Sequence, residues 1–401
     1  ICDKPLEGVF CAADGCVLSC SEEDDKYRYE ALSENEAVAS VGTTYFTKLQ
    51  DAINSDAASN GSPVVLERDT SENVTIDSGK TITVDLNGKA LTLSGTMIVE
   101  GNLTVQDSTA KTEPVVSSNY ETVSYTAGKI LYTGNGTAIV PQEGGTFTLL
   151  SGIVDASTAG DAIYASGNCA PGELDDETSI FSTINIRGGY VHSREYGIGV
   201  QGRGATANIS GGVIVADDNA AVAGNGTNSP TGGYLGGTTI NITDGTIIGH
   251  INASGYIACG VYHPQKGTLT ISGGTIYADE GLGVLMRGGE LKMSGGTILA
   301  TADERTTGKV GDSNIVVGGS AILFDDKSGY YNHSETDISI SGGTLKSAED
   351  VPTVSVNAET TAEDVAKEKI KVSGGSYSSS VAEYVVDSLN YEAYNNDLFT
   401  Y

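Results

Sequence analysis

The 401-residue chain has no tryptophan and few phenylalanines (6), methionines (3), histidines (4) or prolines (8). Basic residues are also scarce: 22 Lys and Arg stand against 52 Asp and Glu, a formal net charge of -30. That balance repels a polyanion, so nucleic acid and an anionic membrane surface are poor partners. It suits an exposed, soluble protein. No apolar run reaches the ~18 residues a membrane span needs. The start, Ile1-Cys2-Asp3-Lys4-Pro5, lacks a basic stretch followed by an apolar one. A signal peptide removed earlier, or an internal start, is the expectation. There is no Gly-X-Y period among the 53 glycines, which excludes collagen and points to many tight turns.

Cysteine is sparse and uneven. Cys2, Cys11, Cys16 and Cys20 crowd the first 20 residues, while Cys169 and Cys259 are isolated. No C-x-x-C pair and no nearby histidine accompany the four, so disulfides are expected over zinc. Four cysteines allow three connectivities, and spacing chooses none of them.

What the chain has in abundance is a repeat. Ile186-Arg-Gly-Gly-Tyr-Val191, Ile209-Ser-Gly-Gly-Val-Ile214, Ile242-Thr-Asp-Gly-Thr-Ile247, Ile271-Ser-Gly-Gly-Thr-Ile276, Met293-Ser-Gly-Gly-Thr-Ile298, Ile340-Ser-Gly-Gly-Thr-Leu345 and Val372-Ser-Gly-Gly-Ser-Tyr377 align without gaps. The shortest steps are 22 residues (271 to 293) and 23 (186 to 209); longer steps are the same unit with insertions. A second motif, small-apolar-x-x, follows each first one: Ala162-Ile163, Gly197-Ile198, Ala221-Val222, Gly260-Val261, Gly283-Val284 and Ala321-Ile322. A third short strand precedes the Gly-Gly, as in Thr268-Leu269-Thr270-Ile271. Strands this short bury little alone; stacked units pair them in parallel and bury a column of Ile, Val and Leu. The segments between them lack a 3.6-residue period, so no helical crossover is expected and the chain must coil. The expectation is an all-β, right-handed, single-stranded parallel β-helix, a three-sided solenoid over residues 44–378 with coils about 4.8 Å apart. The Gly-Gly pair belongs at a corner.

Thr44-Tyr-Phe-Thr-Lys-Leu-Gln-Asp-Ala-Ile53 places Phe46, Leu49 and Ile53 on one face of a short capping helix. Residues 1–43 form a Cys-containing N-terminal segment, and residues 379–401 a C-terminal cap or tail.

The run Tyr45-Phe-Thr-Lys-Leu-Gln-Asp-Ala-Ile53, then Val64-Val65-Leu66, Glu72-Asn-Val-Thr-Ile76 and Ile82-Thr-Val-Asp-Leu-Asn-Gly-Lys89, resembles the opening of pectate-lyase-like β-helix proteins. It looks most like those at the surface of gut bacteria. The likeness covers roughly residues 44 to 378 and is specific for fold. For function it implies several things at once: lyases, hydrolases and esterases of polysaccharides, and adhesins without catalysis. The lyases typically hold calcium on Asp or Glu, with Arg or Lys as base.

Aligning the second motif gives one column of outward residues: Ser166, Gln201, Asn225, Pro264, Arg287, Asp325 and Asn357. Tyr262, His263, Gln265 and Asp326 flank it. If the chain is an enzyme, His263, Arg287 and Asp325 are the candidate catalytic group. If it binds, Gln201, Asn225, Tyr262, Arg287 and Asp325 are the candidate ligand residues. The competing reading is that these residues satisfy turn backbone, that Arg287–Asp325 is a weak surface ion pair, and that His263 is an ordinary surface histidine. The pairs Asp217-Asp218 and Asp303-Glu304 sit in turns. His192, His250, His263 and His333 fall at dissimilar positions, which disfavours a metal site. Twenty tyrosines, Tyr120, Tyr125, Tyr164, Tyr196, Tyr234, Tyr256, Tyr262, Tyr330 and Tyr331 among them, offer flat amphipathic contacts.

The functional expectation is a monomeric, secreted or cell-surface, non-catalytic adhesin or glycan-binding module, meeting a polysaccharide or a host glycan or protein. Its contacts would lie in the insertions 217–238, 249–259, 301–319 and 325–337. The alternative is a polysaccharide lyase or glycoside hydrolase. No cofactor is required; calcium is the cation clustered carboxylates would admit.

Overall fold

The structure is a computed structural model that describes residues 16–23, 26–33, 36–166, 181–202, 204–225, 237–250, 255–279, 281–300, 307–310, 316–325, 336–357, 361–386, 392–395 and 398–401. Cys2, Cys11, Cys169, Tyr234, Asp303, Glu304, Asp326, Tyr330, Tyr331 and His333 lie outside these residues. So do the side chains of Cys16, Cys20 and Asn225.

The chain is all-β, and its repeated strands pair in parallel. Three ladders carry the repeat. In the first, Ile186 stands opposite Ile209, Ile209 opposite Ile242, Ile242 opposite Ile271, and Ile271 opposite Met293. Met293 then meets Ile340, which meets Val372. The sequence spacing of the motif is therefore the register of the ladder. In the second ladder Val191, Ile214, Ile247, Ile276, Ile298 and Leu345 follow one another in the same way. The third runs through Ile163, Ile198, Val222, Val261, Val284, Ile322 and Val354. All these side chains are buried in one continuous core. Each full burial of this kind is worth about 1.5–3 kcal/mol.

The two glycines of the motif serve different needs. A Cβ on Gly273 would lie 2.1 Å from the Thr243 carbonyl oxygen of the preceding unit. Gly274 has φ +77°, which an L side chain resists.

The expected helix over Thr44–Ile53 is shorter than its apolar spacing suggested. Thr44–Phe46 is a strand paired with Ala39–Val41, and the helix runs over Leu49–Asn54. Its start is set by a distant residue: the Glu72 carboxylate accepts from Leu49 N at 2.8 Å and Gln50 N at 3.0 Å. Leu49 and Ile53 are buried as anticipated, and with Val74, Ile76 and Met97 they line a small apolar cavity in the first units of the core. A short helix, Asp56–Ser59, follows directly, and a third, Glu363–Lys369, was not anticipated; it lies between two ladder strands, where only coiling backbone was expected. At the C-terminal end Leu398–Thr400 pairs antiparallel with Ile370–Tyr377, and Tyr401 meets Tyr377 edge-on at 5.8 Å.

The outer faces differ. On the first ladder an amide ladder runs from unit to unit: Asn185 Nδ2 donates to Thr148 Oγ1, Asn208 to Asn185 Oδ1, and Asn241 to Asn208 Oδ1, at 3.2, 3.0 and 2.9 Å. On the second ladder the hairpin Val115–Val116 with Val123–Ser124 covers Val213, Val215, Ile248 and Tyr277. On the third, Ile257, Val310 and Val316 of the insertions pack over Ala223, Tyr262, Leu285 and Leu323. These three residues of the insertions thus bury the ladder rather than stand free for contacts. No helix among the described residues is long and apolar enough to cross a membrane.

Candidate functional site

The column read from the second motif exists in the expected register. Ser166 stands opposite Gln201, and Gln201 opposite Asn225. Further on, Arg287 N donates to His263 O, Asp325 N to Met286 O and Asn357 N to Phe324 O, at 3.0, 3.0 and 2.9 Å. Arg287, Asp325 and Asn357 are therefore neighbours on successive rungs. Gln201, half-buried, is separated from Arg287 by the rungs of Asn225 and Pro264.

The exposure expected of this strip is not found. Arg287 and Asp325 side chains are 3% and 0% exposed, and Arg287 Nε donates to Asp325 Oδ2 at 2.7 Å. This is a buried ion pair, not a surface one. The guanidinium carbon lies 5.8 Å from the Tyr262 ring centroid, and Asn357 Nδ2 donates to Asp325 Oδ1 at 3.3 Å. Burial works against the Arg287 charge, but Tyr262 and Asp325 outweigh it and hold its pKa above the ordinary value. Tyr262, expected as an outward contact, is buried as well. The reason is tertiary: the insertions cover this ladder.

His263 is likewise buried, not a surface histidine. Its Nδ1 lies 2.8 Å from the Gly288 carbonyl, so Nδ1 carries the proton and donates. Nε2 then faces inward as an acceptor with no hydrogen-bond partner among the described residues. Burial pushes its pKa down to about 4, the Gly288 bond acting weakly the other way. A general base must reach a substrate proton, and this nitrogen meets no solvent. Cys259 nearby is a free, buried thiol whose Sγ donates to Val261 O at 3.3 Å; burial pushes its pKa up to about 12. Such a thiol is unreactive.

The structure assembles another group, on the second ladder. Tyr190 and His192 alternate on Tyr190–Ser193 and so share its outer face. Their rings stack at 5.6 Å and 21°. His192 Nε2 lies 3.0 Å from both carboxylate oxygens of Asp217, each side chain 27% exposed. Asp155 stands opposite His192 on the neighbouring rung. In the other direction His250 follows Asp217, and Asp279 follows His250, tied by His250 N to Ala216 O and Asp279 N to Gly249 O. Burial lowers the His250 pKa; Asp217, Asp279 and Glu121 oppose this, and His192 adds to it. Burial, then Asp217 and Asp155, raise the pKa of Tyr190. His192 and His250, taken from the sequence as unrelated, are thus electrostatic neighbours. The signal was present: Asp155 and His192 occupy the same offset from the Gly turn of their motif copies.

Among the described residues no group of three or more His, Cys, Asp or Glu could hold a metal ion. Of the tyrosines, Tyr120 stacks on Tyr277 at 4.4 Å and 16°, and Tyr164 lies over Gly199. No family model, no curated protein and no solved structure matches the chain.

Proposed function

We propose that this chain is a secreted or cell-surface protein, a monomer, that binds a polysaccharide or a host glycan or protein without cleaving it. In this reading its units coil as a right-handed, three-sided parallel β-helix of the pectate-lyase-like kind. Three parallel ladders in register with one sequence motif support the coil, because strands this close in sequence have no room for other crossovers. The observation that carries the non-catalytic reading is the burial of Arg287, Asp325 and His263. The group that would act as base and charge stabiliser is inside, bonded to its own rungs.

The test is a glycan array run beside assays for new reducing ends and for unsaturated uronates. Binding without product supports the reading; product release overturns it. One observation favours a lyase or hydrolase instead: Asp217 holds the His192 imidazole in a fixed orientation, as an acid–base pair requires. Product release that vanishes in His192→Ala would establish that second reading.

A further inference from the structure

We propose that the outer face of the second ladder around Tyr190, His192 and Asp217 is the glycan-binding site, and that it selects glycans free of acidic groups. The proposal rests on the binding reading above. Most of this face is taken up: Val213, Val215, Ile248 and Tyr277 lie under the hairpin carrying Tyr120. The stretch left accessible is its polar end, where His192 and Asp217 each keep 27% exposure.

Three features of this stretch suit a sugar. The Tyr190 ring, half-buried against the apolar residues under the hairpin, stacks on the partly exposed His192 ring, and the two present an aromatic rim to the C–H face of a pyranose. Asp217 is pinned through both oxygens to one imidazole nitrogen, yet each oxygen keeps lone-pair capacity for a hydroxyl donor. Tyr190 and His192 sit on a paired strand, and Asp217 follows the neighbouring strand directly, its N donating to Ser193 O at 3.1 Å, so little order is lost on binding.

Charge then sets the class of ligand. Asp155, Asp217, Asp279 and Glu121 surround the two histidines, and the nearby Arg194 is engaged by Glu195. A uronate or sulfate would enter against these carboxylates and against a net charge of -30. A neutral sugar brings hydroxyl donors that the carboxylates accept. The class is thus not the polyuronate that the resemblance brings to mind.

The test uses the full chain with three probes: a soluble β-glucan, a mannan and polygalacturonate. Binding is measured by calorimetry for the native protein, Tyr190→Ala and Asp217→Asn, with melting curves for each. The expected result is binding of a neutral probe, no binding of polygalacturonate, and on the order of tenfold or greater weakening in both variants, with melting preserved in Asp217→Asn. If Tyr190→Ala does not fold, Asp217→Asn decides alone. Neutral-probe binding unchanged in the variants overturns this site while leaving the binding reading intact. Polygalacturonate bound as tightly as the neutral probes overturns the selectivity. No binding of any probe overturns the proposal, and the glycan array decides the binding reading separately.

Discussion

Arg287 donates to Asp325 at 2.7 Å in a place where neither side chain meets water. In the sequence the two are 38 residues apart. A buried pair of this kind adds little net stability, but either partner alone is costly. Asp325→Ala is expected to lower unfolding free energy by about 3–5 kcal/mol, since it strands a buried guanidinium. The double variant Arg287→Met with Asp325→Leu should lose much less. Urea denaturation of the three proteins checks this; equal losses for single and double variants would remove the pairing argument.

Gly273→Ala should destabilise by roughly 1–3 kcal/mol, because its Cβ must push back the Thr243 carbonyl. Gly274→Ala should cost about 1–2 kcal/mol through its φ of +77°. Ser272→Ala, at an exposed position, serves as the near-neutral control. Thermal melting distinguishes the three.

His263 makes the fold sensitive to acid. Its folded pKa, about 4, lies below the ordinary 6.5. The unfolded chain therefore binds the proton more readily, and stability falls as pH drops through 6.5 toward 4. The full effect is about 3 kcal/mol. Asp161 acts oppositely: burial raises it to about 6, so its folded form gains stability as pH falls through 6 toward 3.8. His263→Gln is expected to flatten the loss of stability between pH 6.5 and 4. Asp161→Asn should steepen it. Denaturation midpoints measured across that range check both signs.

Asn208 donates to Asn185 and accepts from Asn241. Asn208→Ala ends both bonds on a half-buried face and should cost about 1–2 kcal/mol. Asn208→Asp keeps the acceptor for Asn241 but sets a carboxylate against the Asn185 carbonyl oxygen. Its destabilisation should therefore be larger at neutral pH than at pH 3. A pH-independent loss in the Asp variant would rule out the amide ladder.

The residues legible in the sequence were those whose placement depends on period alone. Ile186, Ile209, Ile242 and Ile271 recur at one position of the motif, and the ladder pairs them in that order. Ser166, Gln201, Arg287, Asp325 and Asn357 likewise took the rungs their alignment gave them. Parallel pairing of identical units leaves one register, so spacing in the chain becomes spacing in the ladder. What period could not supply was exposure. An outward position reads the same whether water or an insertion lies beyond it. Ile257, Val310 and Val316 close over the third ladder and bury Tyr262, over whose ring Arg287 lies, and Tyr120 covers only part of the second and leaves His192 and Asp217 accessible; His263, opposite the core residue Met286, is buried on the inner face instead. Those contacts join segments with no shared motif, and apolar burial, which has no sequence register, decided them.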